Sequence, residues 1–363
     1  MAVSYIICAA GAGSRFRKVL GNIPKALITI DEVPLLDWSL QSLSIYSDDE
    51  IIFITQKEHH VKSKLFDFFS KKYRFNTIKW LEVDSLTRGQ LESAYLVKDL
   101  VSKGNSIAIF NCDTYFQSKS LYNLMQDPTV DGIVPCAEVD GDSWSFCKVN
   151  DKDEIIDIKE KERISNWCSV GLYYFKDSEI FFSLAKESLD EPSVTGNEYY
   201  IAPLYEQYIK QGLKIKLDRV TLFKPMGTPE QMHEFWGIDE ATLKLSNKSP
   251  VLVVDLDNTI TIDDPTVSYE NKTPNLPIIN KIKEFKAAGW EIVIFSSRRM
   301  NTYHNDESKI IANTSKITVD WLNNHGVPFD GLKFGKPFAR HGFYVDDKAL
   351  RPDEFLIQDP KVF

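Results

Sequence analysis

Cysteine is scarce in this 363-residue chain, and the five that occur are dispersed: Cys8, Cys112, Cys136, Cys147 and Cys168. No two of them form a CxxC pair. An odd number of scattered thiols argues against a disulfide framework and against a zinc ribbon. Reduced thiols are typical of a cytoplasmic protein, which is the location we expect.

Long hydrophobic runs and an excess of basic residues are also missing. No apolar run approaches the roughly 18–20 residues that a membrane span needs. The first residues are apolar and small but have no basic stretch before them, so a buried strand is the better interpretation than a signal peptide. Lys and Arg number 43 against 52 Asp and Glu, a net charge of −9, which argues against nucleic acid as a partner.

The length and the hydrophobic pattern of the chain together predict two α/β domains. At 43% hydrophobic and 26% charged residues the chain is ordinary globular material, and its length over about 150 residues per domain suggests two units. β-Rich runs alternate with helical patterns (strands at 51–55, 106–110 and 132–139, a helix at 91–101), which favours a mostly parallel sheet. Residues 240–250 lose apolar periodicity and are interpreted as a linker, giving domains 1–245 and 246–363.

The second domain repeats this pattern on a smaller scale, as a compact Rossmann-like unit. Apolar residues at 278, 282 and 285 lie on one face of a predicted helix. Pro277 suits the first turn of this helix, and Gly289 suits the position just past its end. A strand at 291–295, a helix near 319–325 ending at Gly326, and a strand at 342–345 follow.

Acidic and polar residues follow the strands of this second domain. Asp255 and Asp257 come directly after four apolar β-formers, and positions i and i+2 of an extended strand end face the same way. Two close carboxylates repel each other unless a cation neutralises them, and oxygen ligands suit Mg²⁺. Ser296 then follows the strand at 291–295. Lys336 stands in "FGKP", and the pair Asp346–Asp347 follows the strand at 342–345.

This ordered set resembles the haloacid dehalogenase (HAD) superfamily of phosphotransferases. The segments "IFSSRRMNTY", "VDWLNNHGVPFD", "GKPF" and "GFYVDDKALRPDEF" are similar to capsule-biosynthesis phosphatases of that superfamily. The resemblance covers 251–355 and implies a HAD-like Rossmannoid domain. The gaps leave room for a minimal cap only, so the lid is expected in 263–275 or 299–315.

The resemblance also implies a role for each of these residues. Asp255 is the nucleophile that becomes an aspartyl-phosphate, and Asp257 protonates the leaving oxygen and then activates water. Ser296 holds the phosphoryl oxygens, and Lys336 balances charge around the nucleophile.

A magnesium ion is implied at the same place. Its ligands are Asp255, Asp346 and the carbonyl of Asp257, with Asp347 orienting the shell. Taken singly, residues 257–259 also fit a helix cap and 346–347 a solvated turn. The catalytic interpretation depends on four elements occurring in order, each after an apolar β-run.

A loop rich in glycine and basic residues, "CAAGAGSRF…IPKAL", follows the first strand of the chain at 3–8. Its small residues let a backbone approach a nucleotide and direct N–H groups at phosphate. They are Ala9, Ala10, Gly11 and Gly13. Arg15 and Lys25 add the cations that a triphosphate requires. The P-loop pattern GxxxxGK[ST] is absent, and a lone GAG also fits a tight strand–helix turn.

The spacing GxGxR, with PK ten residues beyond Arg15, resembles the sugar-phosphate nucleotidyltransferases. These enzymes have a Rossmann-like domain with a mixed, mostly parallel sheet, and they join a nucleoside triphosphate to a sugar or polyol phosphate. The resemblance covers 3–236. It implies base recognition near Gly89 in "SLTRGQLESAYL", a metal aspartate at Asp113 in "IFNCD", and acceptor binding by Glu160, Lys161 and Gly171.

The mechanism implied is in-line attack of the acceptor phosphate on the α-phosphorus. Arg15 and Lys25 neutralise charge, and Mg²⁺ on Asp113 bridges the phosphates. One departure stands out, because Pro225 occupies the position of the family's second metal aspartate, two residues before "GT". Asp218 is a candidate substitute. Asp113 alone also fits a residue capping the next helix, and Glu160 and Lys161 fit a solvated hairpin over 152–163.

The chain is therefore interpreted as a bifunctional enzyme of surface-polysaccharide (capsule or lipopolysaccharide) precursor synthesis. One half performs nucleotidyl transfer, with CTP mildly favoured by likeness to cytidylyltransferases, and the other performs Mg²⁺-dependent phosphomonoester hydrolysis. The alternative is a phosphatase whose N-terminal half only binds a nucleotide or sugar phosphate. Nucleotidyltransferases of this shape often self-associate, so a homo-oligomer fits either interpretation.

Overall fold

A computed structural model describes residues 2–193, 198–339, 344 and 346–360. The chain divides into two compact units, Met1–Asn247 and Lys248–Phe363. In the part of the chain that is described, every helix is too short or too polar to cross a membrane.

The N-terminal unit is a layered α/β structure. Its strands are β1 Val3–Ala9, β2 Thr29–Ile30, β3 Val33–Pro34, β4 Glu50–Gln56, β5 Thr77–Val83, β6 Ser106–Asn111, β7 Thr114–Gln117, β8 Gly132–Glu138, β9 Ser145–Val149, β10 Ile155–Glu160, β11 Trp167–Ser169, β12 Leu172–Phe175, β13 Ile215–Arg219 and β14 Leu222–Pro225. Its helices are α1 Arg17–Leu20, α2 Leu35–Leu40, α3 Val61–Lys72, α4 Gln90–Tyr95, α5 Leu121–Met125, α6 Ser178–Asp190, α7 Leu204–Lys210, α8 Pro229–Trp236 and α9 Glu240–Ser246.

Ten of these strands form one mixed sheet in the order β10-β9-β11-β8-β12-β6-β1-β4-β5, with β13 beside β8. The half containing β6, β1, β4 and β5 is parallel. Antiparallel pairs join β12, β8, β11, β9 and β10. Strands covered on both faces need near-continuous hydrophobic sequence, and β4 is buried along its whole length. The predicted α/β fold with a mixed sheet is confirmed for this unit.

Alternation along β1 builds the two cores of the unit. Ile6 belongs to the cluster on one face of the sheet, and Tyr5 and Ile7 belong to the cluster on the other. Successive side chains of a strand point to opposite faces, so one short apolar run supplies both layers. Its carboxyl end is then held firmly where the glycine loop begins.

The two units divide between Asn247 and Lys248, inside the predicted linker at 240–250, but helix α9 occupies the first part of that segment. Leu243 is buried in a cluster with Phe16 and Met226, which anchors the helix despite its weak periodicity. Past the helix, the Asn247 carboxamide accepts a hydrogen bond from the Thr29 N–H (2.8 Å) and donates one to the Thr29 carbonyl (3.0 Å). The helix predicted over 91–101 is also shorter than expected, since α4 ends at Tyr95.

The C-terminal unit contains a three-stranded parallel sheet in the order β15-β18-β19. Its strands are β15 Val251–Val254, β16 Thr261–Ile262, β17 Thr273–Pro274, β18 Glu291–Phe295 and β19 Gly331–Lys333, and its helices are α10 Leu276–Ala287, α11 Glu307–Asn324 and α12 Pro352–Leu356. The predicted strand at 291–295 and helix at 278–285 are confirmed, whereas the helix near 319–325 is much longer. Of the strand predicted at 342–345, residues 342, 343 and 345 lie outside the described residues.

Candidate active sites

A cleft of about 720 Å³ opens on the N-terminal unit. Every residue predicted from the sequence for the nucleotide and acceptor sites lines it. These are Ala9, Ala10, Gly11, Gly13, Arg15, Lys25, Gly89, Asp113, Glu160, Lys161 and Gly171. They come from separate segments over more than 160 positions, so the fold alone gathers them.

The loop after β1 forms one wall of the cleft. Ala10 is buried, and its carbonyl accepts a hydrogen bond from Nε2 of Gln56 at the end of neighbouring β4 (2.6 Å). A side chain at Gly11 would meet nothing within 4 Å. Gly13 has φ +60° and opens a short helical turn. The loop is thus held at Ala10 by Gln56, while the space beside Gly11 is open.

Two cations and one carboxylate face this loop. Asp113, just after β6, forms an ion pair with Lys25. Arg15 is exposed and has no ion-pair partner among the residues that the structure describes. The element after Asp113 is strand β7, so the helix-cap alternative for this aspartate is wrong. The Arg15 guanidinium is therefore available to bind a phosphate group in the cleft. The Lys25 ammonium balances the negative charge of Asp113, which would otherwise repel the phosphate.

Gly89 and Gly171 are required for reasons that the sequence did not reveal. A Cβ at Gly89 (φ +143°) would lie 2.4 Å from the carbonyl oxygen of Tyr199. A Cβ at Gly171 (φ +88°) would lie 2.2 Å from Nδ2 of Asn111. Both glycines line the cleft, but the positive φ at each position already favours glycine, and at Gly89 the Tyr199 backbone also leaves no room for a Cβ.

The far end of the cleft carries the predicted acceptor residues. The 152–163 run contains strand β10, which pairs with the earlier strand β9 (Ser145–Val149), and Glu160 ends β10. Burial raises the pKa of the Glu160 carboxyl, although a hydrogen bond from Ser145 opposes the shift. The Lys161 ammonium donates to the Tyr200 hydroxyl and lies 4.5 Å from the centre of that ring. The two residues thus line the cleft as a half-buried acid and a cation.

Pro225 lies beside Asp113, as the spacing predicted. It pairs with Thr114 in the β14–β7 ladder, and the next N–H, of Met226, donates to the Asp113 carbonyl (2.8 Å). Asp218 does not replace the missing carboxylate. It is buried on β13, accepts a hydrogen bond from Ser120, and is not among the described residues that line the cleft.

Sequence reasoning missed Gln231, which also lines the cleft. Its Oε1 accepts a hydrogen bond from the Gly227 N–H (2.8 Å), while its own N–H donates to Oγ1 of Thr228 (3.2 Å) at the start of α8. The pattern Thr-x-x-Gln is the signature of a helix start, and it is the signal that could have singled out this side chain.

In the C-terminal unit the structure brings Asp255 and Lys336 together. Asp255 follows β15, and its Oδ1 accepts a hydrogen bond from the Lys336 ammonium (2.8 Å). Thr259 donates to the other oxygen (3.3 Å). Ser296 follows the parallel neighbour β18, is fully buried, and accepts a hydrogen bond through Oγ from the Arg298 N–H (3.0 Å).

Asp257 has a partner that the sequence analysis did not name. Its carboxylate accepts hydrogen bonds from Arg298, at 2.6 Å from Nη2 and 3.1 Å from Nε. The Arg298 side chain is completely buried, and its guanidinium lies 4.4 Å from the centre of the Tyr269 ring. Neighbouring Arg299 is solvent-facing and donates to the Asn313 carbonyl. In the sequence the two arginines are indistinguishable.

Asp346 and Asp347 are exposed where the structure describes them. The Asp346 carboxylate accepts the Lys348 N–H (2.8 Å), which is the solvated-turn arrangement. Within the described ranges, no three Asp, Glu, His or Cys side chains are gathered closely enough to hold a metal ion. Of the two predicted lids, 263–275 includes Tyr269 stacked on Arg298, whereas 299–315 runs into helix α11.

The relationship to known proteins follows from the N-terminal unit. Residues 4–220 match the family described as nucleotidyl transferase, which is more than half of the chain. The chain belongs to the nucleotidyl transferase family.

Among solved structures, this nucleotidyl transferase resembles the nucleoside-diphosphate-sugar pyrophosphorylase of Vibrio cholerae RC9. The two are 27% identical with a TM-score of 0.58, over 64% of this chain and all of that one. It is 24% identical to the bifunctional protein GlmU of Methanocaldococcus jannaschii over 67% of this chain and 54% of that protein. A choline-phosphate cytidylyltransferase of Streptococcus pneumoniae is 31% identical over 30% of this chain and 44% of that enzyme. The chain thus spans about half the length of the first curated relative.

Proposed function

We propose that the N-terminal unit transfers a nucleotidyl group from a nucleoside triphosphate to a sugar or polyol phosphate. The observation that carries the proposal is the single cleft in which the 9–13 loop, Arg15, the Lys25–Asp113 pair and the Glu160–Lys161 pair all meet. These groups supply both halves of such a reaction, phosphate binding at one end and acceptor binding at the other.

The chain's own groups suffice to orient the substrates. Backbone N–H groups of 11–13 and the Arg15 guanidinium bind the triphosphate. Lys161 holds the acceptor phosphate, and Glu160 accepts hydrogen bonds from acceptor hydroxyls. An acceptor phosphate oxygen attacks the α-phosphorus, the bond from that phosphorus to the bridging oxygen breaks, and pyrophosphate leaves with its charge stabilised by Lys25.

Asp113 is the carboxylate that a magnesium ion would use in this cleft, but it is paired with the Lys25 ammonium. Within the described ranges, no three acidic, histidine or cysteine side chains gather closely enough to hold a metal ion. The described residues around Asp113 therefore do not make up a magnesium site by themselves, and no step is derived through the ion.

The choice of substrates is also part of the proposal. The match to a choline-phosphate cytidylyltransferase supports CTP as the triphosphate. The match to a nucleoside-diphosphate-sugar pyrophosphorylase supports a sugar phosphate as the acceptor. The product would be an activated precursor for a surface polysaccharide.

Pyrophosphate release tests the transfer. The chain is incubated with each of the common triphosphates and a set of sugar and polyol phosphates, with Mg²⁺ present. Release with at least one pair is the expected result. No release with any pair, together with nucleotide binding, would favour the alternative of a silent binding module, for which Pro225 is the specific observation.

We further propose that the C-terminal unit hydrolyses a phosphomonoester. Support comes from Asp255 at the carboxyl end of β15, with Lys336 on its carboxylate and Ser296 at the end of the adjacent strand. Asp255 attacks the phosphorus, and the ester oxygen leaves with a proton from solvent, since the Asp257 carboxylate is engaged by Arg298. Water then cleaves the aspartyl-phosphate.

The described donor set of this unit does not make up a magnesium site. Asp255 and Asp257 are each paired with a cation, and Asp346 is bonded within its own turn, so no step is derived through the ion. Hydrolysis of an aryl phosphate, measured with and without Mg²⁺, tests the activity. Absence of hydrolysis under both conditions would remove the proposal.

A further inference from the structure

We infer that Tyr200 is a positioning residue for the nucleotidyl transfer, which holds the Lys161 ammonium at the place where the acceptor phosphate binds. This role deepens the proposed function of the N-terminal unit and rests on it. The sequence alone does not distinguish Tyr200 from its neighbour Tyr199. In the structure Tyr200 lines the cleft, whereas Tyr199 is not among the described residues that do.

Two contacts from Tyr200 fix the Lys161 side chain. Lys161 is exposed, and a lysine ammonium sits on a flexible four-carbon stem that by itself holds no single position. The Tyr200 hydroxyl accepts a hydrogen bond from this ammonium, and the centre of the Tyr200 ring lies 4.5 Å from Nζ. An ammonium has three N–H donors, so two remain for the acceptor phosphate. No carboxylate of the described residues forms an ion pair with Lys161.

Glu198 sets the direction of the hydrogen bonds around the Tyr200 hydroxyl. The hydroxyl donates to the Glu198 carboxylate, so its proton is used there and its oxygen is left to accept from Lys161. Burial, together with this hydrogen bond, raises the pKa of Tyr200, and the hydroxyl therefore stays protonated at neutral pH. The ammonium is thus linked to a carboxylate through a neutral group, and its charge stays available to a phosphate.

The backbone just before Tyr200 is held by the start of helix α4. The Tyr199 N–H donates to the Arg88 carbonyl (2.8 Å), and the Tyr199 carbonyl accepts the Leu91 N–H (3.0 Å). The Arg88 guanidinium also lies 4.8 Å from the centre of the Tyr199 ring. The residue that positions the acceptor cation is therefore fixed relative to the loop that is proposed to bind the base.

Chemical labelling tests the contact without any substrate. The full chain is treated with dilute acetic anhydride, and the acetylation rate of each lysine is followed by mass spectrometry. Tyr200→Phe keeps the ring and removes the hydroxyl, so Lys161 should be acetylated about fivefold faster, as expected for the loss of one hydrogen bond. Tyr122→Phe, which alters an exposed tyrosine of α5 away from the cleft, is the matched control and should leave this rate unchanged. An unchanged rate in Tyr200→Phe would overturn the inference.

Steady-state kinetics tests whether the contact serves the transfer. The acceptor of the fastest pair in the pyrophosphate assay is varied at saturating triphosphate, starting with glucose 1-phosphate and CTP. Tyr200→Phe should raise the KM for the acceptor about fivefold and change kcat by less than about twofold. Lys161→Met should raise the same KM by roughly thirtyfold. In the double variant the KM should equal that of Lys161→Met, because Tyr200 acts through Lys161.

The double variant separates positioning from a purely structural role. A residue that only supports the fold would have an effect that adds to that of Lys161→Met. Additive effects would therefore overturn the inference, as would an unchanged KM in Tyr200→Phe. Tyr200→Leu, which removes the ring as well, should exceed Tyr200→Phe in both measurements. If the unaltered chain released no pyrophosphate with any pair, the proposed function would fail, and the labelling rates would still decide whether Tyr200 holds Lys161.

Discussion

Each of the two units has a lysine–aspartate ion pair just after the carboxyl end of a parallel strand. Asp113 follows the parallel strand β6 and pairs with Lys25, and Asp255 follows the parallel strand β15 and pairs with Lys336. The carboxyl ends of parallel strands are where α/β proteins bind ligands. What differs is the surroundings.

In the N-terminal unit the pair lies in a cleft that also contains a glycine loop, the Arg15 guanidinium and a half-buried acid, Glu160. In the C-terminal unit the second carboxylate, Asp257, is locked by a buried arginine, and the later acidic pair is exposed. The comparison shows that a lysine–aspartate pair says little by itself. The neighbouring groups decide whether it serves a substrate or another side chain.

The sharpest test of the comparison is Asp255→Asn. Removal of the nucleophile should lower aryl phosphate hydrolysis by roughly 10⁴-fold, while nucleotidyl transfer is unchanged. Both activities are measured on the same preparation. Asp320→Asn, an exposed aspartate of helix α11 in the same unit, is the control. Unaltered turnover in Asp255→Asn would show that this pair is structural.

Lys25→Met should affect the other activity. Loss of the ammonium beside the transferring phosphate should lower pyrophosphate release by about 10²- to 10³-fold, with hydrolysis of the aryl phosphate intact. Lys18→Met, an exposed lysine of α1, is the matched control. A loss no larger than in the control would mean that Lys25 only neutralises Asp113.

Arg298→Met separates a locked carboxylate from a reactive one. Breaking a buried ion pair leaves Asp257 uncompensated, so the free energy of unfolding should fall by about 3 kcal/mol. Urea unfolding followed by tryptophan fluorescence measures the change. Arg299→Met removes the half-exposed guanidinium next in sequence, which lies 5.3 Å from the centre of the Tyr269 ring, and should cost only about 1 kcal/mol. Equal effects of the two would contradict the assigned ion pair.

Gly89→Ala tests whether the cleft wall is fixed by its own packing. A Cβ 2.4 Å from the Tyr199 carbonyl oxygen must displace backbone, and the expected loss of unfolding free energy is about 2 kcal/mol. Gly212→Ala shares a positive φ (+77°) but meets nothing within 4 Å. It should cost about 1 kcal/mol, and calorimetry distinguishes the two. Similar losses would argue that strain alone acts at Gly89.

The smallest effect is expected for Asp218→Asn, a buried carboxylate without the cation that Asp113 has. Burial raises the pKa of Asp218, so the folded state binds its proton more tightly. Stability is therefore present below the unfolded pKa of about 3.9 and is lost as pH rises through the higher folded value. Asn should add under about 1 kcal/mol at pH 7 and nothing at pH 3. A gain that does not depend on pH would exclude this origin.

Much of the fold was predictable because burial follows hydrophobic pattern. The run 3–8 and the run 291–295 are strands as expected. The linker at 240–250 was not recognised as helical, since its anchor is a single leucine in a polar segment. Helix α11 was underestimated at its start, where polar residues face solvent along its first turns.

The residues of the N-terminal cleft were predictable as a set, because glycine loops and acidic strand ends carry local signals. Partners formed across the fold were not. Arg298 looks the same as Arg299 in sequence, and nothing local shows that Gln231 lines the same cleft as Asp113. The requirement for Gly89 comes from a segment more than one hundred residues away.

Asn247 has a practical consequence for truncation. Its carboxamide accepts one hydrogen bond from the Thr29 N–H and donates one to the Thr29 carbonyl, as a peptide group in a neighbouring strand would. A chain truncated at residue 245, the boundary that the sequence pattern predicts, lacks both hydrogen bonds. The Thr29 amide and carbonyl are then left to bond with water. Ending the fragment a few residues later retains both bonds.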